Sequence, residues 1–119
     1  MARELRTAGI PARTITDRAG REAVRTADLL LLGADTVFSD GSLVHKVGTR
    51  PLALAAHRAG VPVVVVGGRS KFTRRGRPRA RLPALFDVTP GRWIDEYWTD
   101  VGRLTGPARR GWRPRIPPF

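Results

Sequence analysis

No cysteine occurs anywhere in the 119 residues. That excludes disulfide staples, thiolate metal ligands and a thiol catalyst supplied by this chain. Long apolar runs are missing too: none approaches the ~20 residues needed to cross a bilayer. The N-terminal Met-Ala-Arg-Glu-Leu-Arg lacks the apolar stretch of a secretory signal. These absences predict a cytoplasmic protein with no membrane partner. The only histidines, His45 and His57, stand at no metal-ligand spacing, so neither a metal site nor a cofactor is expected. Carboxylates are absent between Asp40 and Asp87 and again after Asp100.

What is present is a folding-competent composition, 41% hydrophobic, carrying a formal charge of +12 from 22 basic and 10 acidic residues. Twenty of the basic residues are arginine. A charge of this size attracts polyanions. It is densest in a loop over 69–82, which holds Arg69, Lys71, Arg74, Arg75, Arg77, Arg79 and Arg81. Such a cluster neutralises backbone phosphates, but Phe72 is its only aromatic, which is poor provision for base stacking. A nucleic-acid partner is therefore one reading, and a solvated loop with counterions is the other.

Along the chain, residues 2–9 read as a short helix stopped by Gly9, and 11–16 as a short strand. Asp17 can cap a helix over 18–26. The run 28–34 (DLLLLGA) suits a central parallel strand buried on both faces. Residues 35–45 read as irregular, with a turn at Asp40-Gly41. A helix is expected over 49–59, with Thr49 as N-cap and Pro51 in its first turn. Residues 61–66 (VPVVVV) are the clearest strand. A short strand near 85–88 and a helix over about 90–100, carrying Trp93, Tyr97 and Trp98, follow. This alternation predicts an α/β fold, a partial Rossmann-like parallel sheet of about four strands with flanking helices. Its domain is expected to span 1–102, with a Pro/Arg-rich extended tail over 103–119. Ligands of such sheets bind at the C-terminal ends of strands.

Gly33-Ala34-Asp35, Asp40-Gly41, Lys46-Val47-Gly48-Thr49 and Leu52-Ala53 form an ordered set of motifs. Gly9-Ile10-Pro11 with Ile15, Asp17 and Ala19 precedes it, and Val61-Pro62-Val63, Lys71-Phe72 and Phe86-Asp87-Val88-Thr89-Pro90 follow. In this order and spacing the chain resembles the superfamily of the alpha, beta and delta subunits of initiation factor 2B, methylthioribose-1-phosphate isomerase and ribose-1,5-bisphosphate isomerase. The resemblance covers about residues 2 to 102 and implies the C-terminal half of that fold. Members are longer, with a helical subdomain and the first strands upstream, and the first helix here has no strand to pack from.

Read from the residues, Asp35 is either a turn carboxylate at a strand end or a site carboxyl. The resemblance implies the latter, a general acid/base in aldose–ketose interconversion. Lys46, Gly48 and Thr49 precede a helix, whose free N–H groups and positive dipole end suit phosphate. The resemblance implies that Lys46 touches substrate and that Lys71 lies near the pocket. The isomerases usually carry Asn before that lysine, where this chain has His45. Their catalytic cysteine lies upstream of every matched residue.

Three readings stay in play. The first is a truncated member that keeps part of a ribose-phosphate or nucleotide-phosphate site at Asp35, His45, Lys46, Gly48, Thr49 and Lys71, without turnover. It works alongside a complementary half or as a homo-oligomer. The second is an assembly subunit of the initiation factor 2B type, and the third a basic nucleic-acid-binding protein.

Overall fold

A computed structural model describes residues 1–109. It is an α/β structure with two sheets. Helix α1 spans Ala2–Thr7, α2 Asp17–Ala23 and α3 Thr49–Ala59. The strands are β1 Leu30–Leu32, β2 Thr36–Val37, β3 Leu43–Lys46, β4 Val63–Val66, β5 Phe86–Thr89, β6 Glu96–Thr99 and β7 Gly102–Thr105. The main sheet runs β1-β4-β6-β7, and the smaller one β2-β3-β5. In the main sheet β1, β4 and β6 are parallel, and β7 folds back antiparallel on β6.

The parallel core follows from the valines. Val63, Val64 and Val65 are almost wholly buried, as β-branched side chains in a central strand should be. Asp95 fixes where β4 begins, because its carboxylate accepts from the Val63 N–H at 2.8 Å while its own N–H donates to the Val63 carbonyl. Helix α3 covers one face with Ala53 and Ala56, small side chains that let helix and sheet approach closely. Gly60 ends it in the left-handed conformation, as a C-terminal glycine does.

Several expectations are corrected. Residues 11–16 form no strand; the segment is largely exposed and no described strand pairs with it. Thr16, not Asp17, caps α2, accepting from the Ala19 N–H at 3.2 Å. The stretch 35–45 is a hairpin, β2 and β3, closed by the Asp40-Gly41 turn. The expected strand at 85–88 exists as β5, but it pairs antiparallel with β3 outside the main sheet. The run 28–34 is not central: β1 is an edge, and Leu31 is 54% exposed.

The expected helix over 90–100 is a 3₁₀ turn, Gly91–Trp93, followed by β6. A spacing of four residues is even, so Trp93 and Tyr97 share a face in a strand as well as in a helix. The aromatic and β-branched residues of 93–99 then decide for strand. Position 102 begins β7, so sheet pairing continues through Thr105. The expected tail beyond 109, with Pro114, Pro117 and Pro118, lies outside the described residues.

Tyr97 links the two sheets. It is fully buried, its ring meets Phe72 edge-on at 5.8 Å, and its hydroxyl donates to the Gly41 carbonyl in the hairpin turn. Burial, and then the nearby Asp40 carboxylate, push its pKa far above the ordinary tyrosine value. Tyr97→Phe should leave the Gly41 carbonyl unpaired and cost about 1–3 kcal/mol in denaturant unfolding. The sign of the pH effect is also set. The raised folded pKa gives stability that is full below about pH 10 and falls above it, because the unfolded tyrosine ionises first. Tyr97→Phe should lack that part of the alkaline loss, read as a flatter stability profile between about pH 9 and 11.

Candidate functional site at the strand ends

Because β1 and β4 are adjacent and parallel, their C-terminal ends lie on one edge of the sheet. Gly33-Ala34-Asp35 leaves β1 there, and Gly67-Gly68 leads from β4 into the 3₁₀ turn Arg69–Lys71. The backbone N–H of Asp35 donates to the Val44 carbonyl at 2.8 Å, which ties the β1 end to β3. The Asp35 carboxylate is half exposed, and its Oδ2 lies 3.5 Å from Nδ1 of His45. That Nδ1 is buried and has no hydrogen-bond partner among the described residues.

The imidazole of His45 lies against Gly33. A Cβ at position 33 would stand 3.2 Å from Nε2 and 3.3 Å from Cε1. A side chain here would press on the ring, which would have to give by a few tenths of an ångström. The motif Gly33-Ala34-Asp35 and His45 are thus one cluster, although ten residues of sequence separate the carboxylate from the imidazole.

Helix α3 begins differently from the sequence expectation. Gly48 is its N-cap, held at φ 104°, and Thr49 is the first helical residue. The Thr49 hydroxyl donates to the Lys46 carbonyl at 2.7 Å and caps nothing. The cap comes from β5 instead. Asp87 Oδ2 accepts from the Gly48 N–H at 3.0 Å and from the Arg50 N–H at 3.1 Å. Pro51 has no N–H to offer, so of the helix's first free donors only that of Thr49 remains. Asp17 stands alongside, its Oδ2 within 3.4 Å of where a Gly48 Cβ would be. An anion at this helix end already exists, and it is the protein's own carboxylate.

The two lysines sit on separate segments. Lys46 is exposed at the end of β3, and Lys71 is exposed in the turn after β4, its side chain passing Gly67. The basic loop is pinned at its base. Arg69 meets Asp100, the Phe72–Val37 bridge joins the loop to β2, and Arg77 lies 3.7 Å from Asp40. Arg74, Arg75, Arg79 and Arg81 are exposed, and among the described residues their side chains form no ion pair. His57 lies on α3 beside Trp93, away from this cluster.

Asp87 and Gly33 are the residues that sequence reasoning missed. Phe86-Asp87-Val88-Thr89-Pro90 is visible as a motif, but no local signal shows that Asp87 reaches a helix that begins 38 residues earlier in sequence. Asp87→Ala should free the Gly48 and Arg50 donors and cost about 1–2 kcal/mol of stability, the usual loss of a helix cap. In thermal melts, added inorganic phosphate should then raise the variant's Tm more than the parent's, by mass action on the vacated donors.

Comparison with known proteins places this geometry. Ribose 1,5-bisphosphate isomerase of Archaeoglobus fulgidus is 34% identical over 126 residues, covering 86% of this chain and 40% of that protein. The probable bifunctional methylthioribose-1-phosphate isomerase/methylthioribulose-1-phosphate dehydratase of Nocardia farcinica is 48% identical over 107 residues, covering 88% of this chain and 18% of that protein. Among solved structures, translation initiation factor eIF-2B of Pyrococcus horikoshii superposes with a TM-score of 0.74 at 32% identity, over 90% of this chain and 44% of that one. The chain therefore spans less than half the length of these relatives. A family model described as the Initiation factor 2 subunit family matches residues 1–82, which include α1 to α3, both strand ends and the Asp35–His45 pair, and the chain belongs to that family.

Proposed function

We propose that these residues form one wall of a cleft for a phosphorylated ribose, and that they do not complete an isomerisation on their own. The carrying observation is the Asp35–His45 pair seated on Gly33 at the C-terminal edge of the parallel sheet. Curated relatives act on ribose 1,5-bisphosphate or methylthioribose 1-phosphate. Interconverting an aldose and a ketose needs a group that takes a proton from the sugar and returns it one carbon away. A half-exposed carboxylate at a strand end is accessible for this, and His45 Nδ1 stands 3.5 Å from its Oδ2.

The phosphate is the part of the reading that the geometry reshapes. With Asp87 on the α3 donors, the phosphate is better served by Lys46 and Lys71 than by the helix end. Gly48 and Thr49 then shape the cleft through backbone and packing. The reaction's second catalytic group is not supplied here, since the chain has no cysteine.

An assembly role of the initiation-factor type is the second reading. Its favouring observation is the apolar surface left on the main sheet, where Leu31 and Val66 are 54% and 45% exposed.

The purified chain should bind ribose 1,5-bisphosphate weakly, with Kd about 1 mM, since one wall offsets little of the cost of association. Lys46→Ala with Lys71→Ala should weaken binding about tenfold. Turnover should be absent for this substrate and for methylthioribose 1-phosphate. A rate within a few orders of magnitude of ~10 per second would contradict the proposal, and Asp35→Asn would then have to abolish it.

A further inference from the structure

The loop between β4 and β5 carries charge that the cleft does not use. Between Phe72 and Leu82 it holds five arginines and no lysine. Four of them, Arg74, Arg75, Arg79 and Arg81, are exposed without an ion pair among the described residues. The fifth, Arg77, stands 3.7 Å from Asp40, and both of these side chains are half-exposed. A pair of that kind is worth little and gives way to a better partner. Asp40 has other work: its Oδ1 accepts from the Ser42 N–H and hydroxyl. No further carboxylate occurs in the sequence before Asp87.

The loop is held in shape where it leaves the sheet. Phe72 bridges Val37 in parallel. The Thr73 N–H donates to the Val37 carbonyl, and the Ser39 N–H donates to the Arg75 carbonyl, each at 2.9 Å. Residues 72–75 therefore run beside 37–39 as an added extended segment. From there the chain reads Arg75-Gly76-Arg77-Pro78-Arg79. Gly76 is not in the left-handed region, and a Cβ on it would meet no atom within 4 Å. Neither the backbone nor the packing of this chain requires a glycine there. Pro78 has no N–H and keeps the chain out of a helix.

A bare backbone position between two guanidiniums fits a narrow anionic groove. The backbone approaches the floor, and the arginines lie along it on either side. The minor groove of A·T-rich duplex DNA is narrow and concentrates negative potential that draws arginine in. Arginine suits it better than lysine because its planar guanidinium is less strongly hydrated. Other nucleic acids fit less well. Single strands are held by stacking on aromatic rings, and the Phe72 ring is turned onto Tyr97. Duplex RNA offers a wide, shallow minor groove. We propose that the 74–81 segment docks in the minor groove of A·T-rich duplex DNA. Arg75 and Arg77 enter the groove on either side of Gly76, and Arg74, Arg79 and Arg81 neutralise flanking phosphates. No residue of the cleft takes part, so the proposal stands apart from the cleft's ligand.

Fluorescence anisotropy of the full chain with short labelled duplexes tests it. At about 50 mM salt an A·T-tract duplex should bind with roughly micromolar Kd, and the log–log salt dependence should have a slope of about −3 to −5. A G·C duplex should bind about tenfold more weakly. Arg75→Lys with Arg77→Lys keeps the charge and should abolish that preference. Gly76→Val also keeps the charge, adds a side chain in open space, and should weaken A·T binding at least about fivefold. Arg21→Ala with Arg58→Ala removes two exposed arginines from α2 and α3 and should cost less than about twofold. Circular dichroism of each variant separates lost binding from lost folding. The proposal is overturned by equal affinity for the two duplexes, or by an A·T preference that survives the lysine variant. An equal loss in the α2–α3 variant overturns it too, since net charge alone would then explain the binding. So does tighter binding to single strands or to duplex RNA, or no salt-dependent binding at all.

Discussion

The rest of the structure depends on the parallel pairing of β4 with β1 on one side and β6 on the other. These segments are 30 or more residues apart in sequence, and each contributes only three or four residues to the sheet. Parallel strands of this length persist only when their side chains are buried and their starting positions are pinned. Valines supply the first condition. The reciprocal bonds between Val63 and Asp95, and the Leu30 N–H to the Pro62 carbonyl, supply the second. One consequence is positional. The chain leaves β1 at Gly33, β4 at Gly67 and β6 at Asp100 along one edge of the sheet.

Electrostatics then divide the surface. The chain is strongly basic, yet carboxylates stand where they perform local work. Asp87 closes α3, Asp17 stands beside Gly48, Asp35 meets His45, and Asp100 accepts from the Arg69 N–H. A phosphate approaching the α3 end would have to displace Asp87 and tolerate Asp17. Lys46 and Lys71 are exposed and form no ion pair among the described residues. The anion at the α3 start is therefore a side chain of the protein itself, where a glycine-led helix start is ordinarily open to an external one.

Much of this was legible in the sequence, and what was not has specific causes. The β4 valines, the α3 helix with its Pro51 start and Gly60 stop, and the Asp40-Gly41 turn carry strong local signals. The β6 strand was hidden because Trp93 and Tyr97, four apart, satisfy helix and strand periodicity equally. Segment 11–16 has strand-like residues but no described partner, and pairing is not a local property. The edge position of β1 was hidden for the same reason: a run of four leucines looks the same at the centre of a sheet as at its edge. At the site, Asp35 and His45 could be singled out by motif, but their proximity, and the glycine beside the ring, needed the β1–β3 geometry. The role of Asp87 needed the β3–β5 register, which sets Asp87 opposite His45.

The claim that binds these points together is that the ligand edge is built around Asp35 and His45 and excludes the α3 end. Backbone amide chemical shifts of the full chain, followed while ribose 1,5-bisphosphate is added, test it most directly. The account predicts shifts at Gly33, Ala34, Asp35, His45, Lys46 and Lys71, with Arg50 unmoved. Shifts concentrated at Gly48 and Arg50, or confined to the arginines of 74–81, would contradict it.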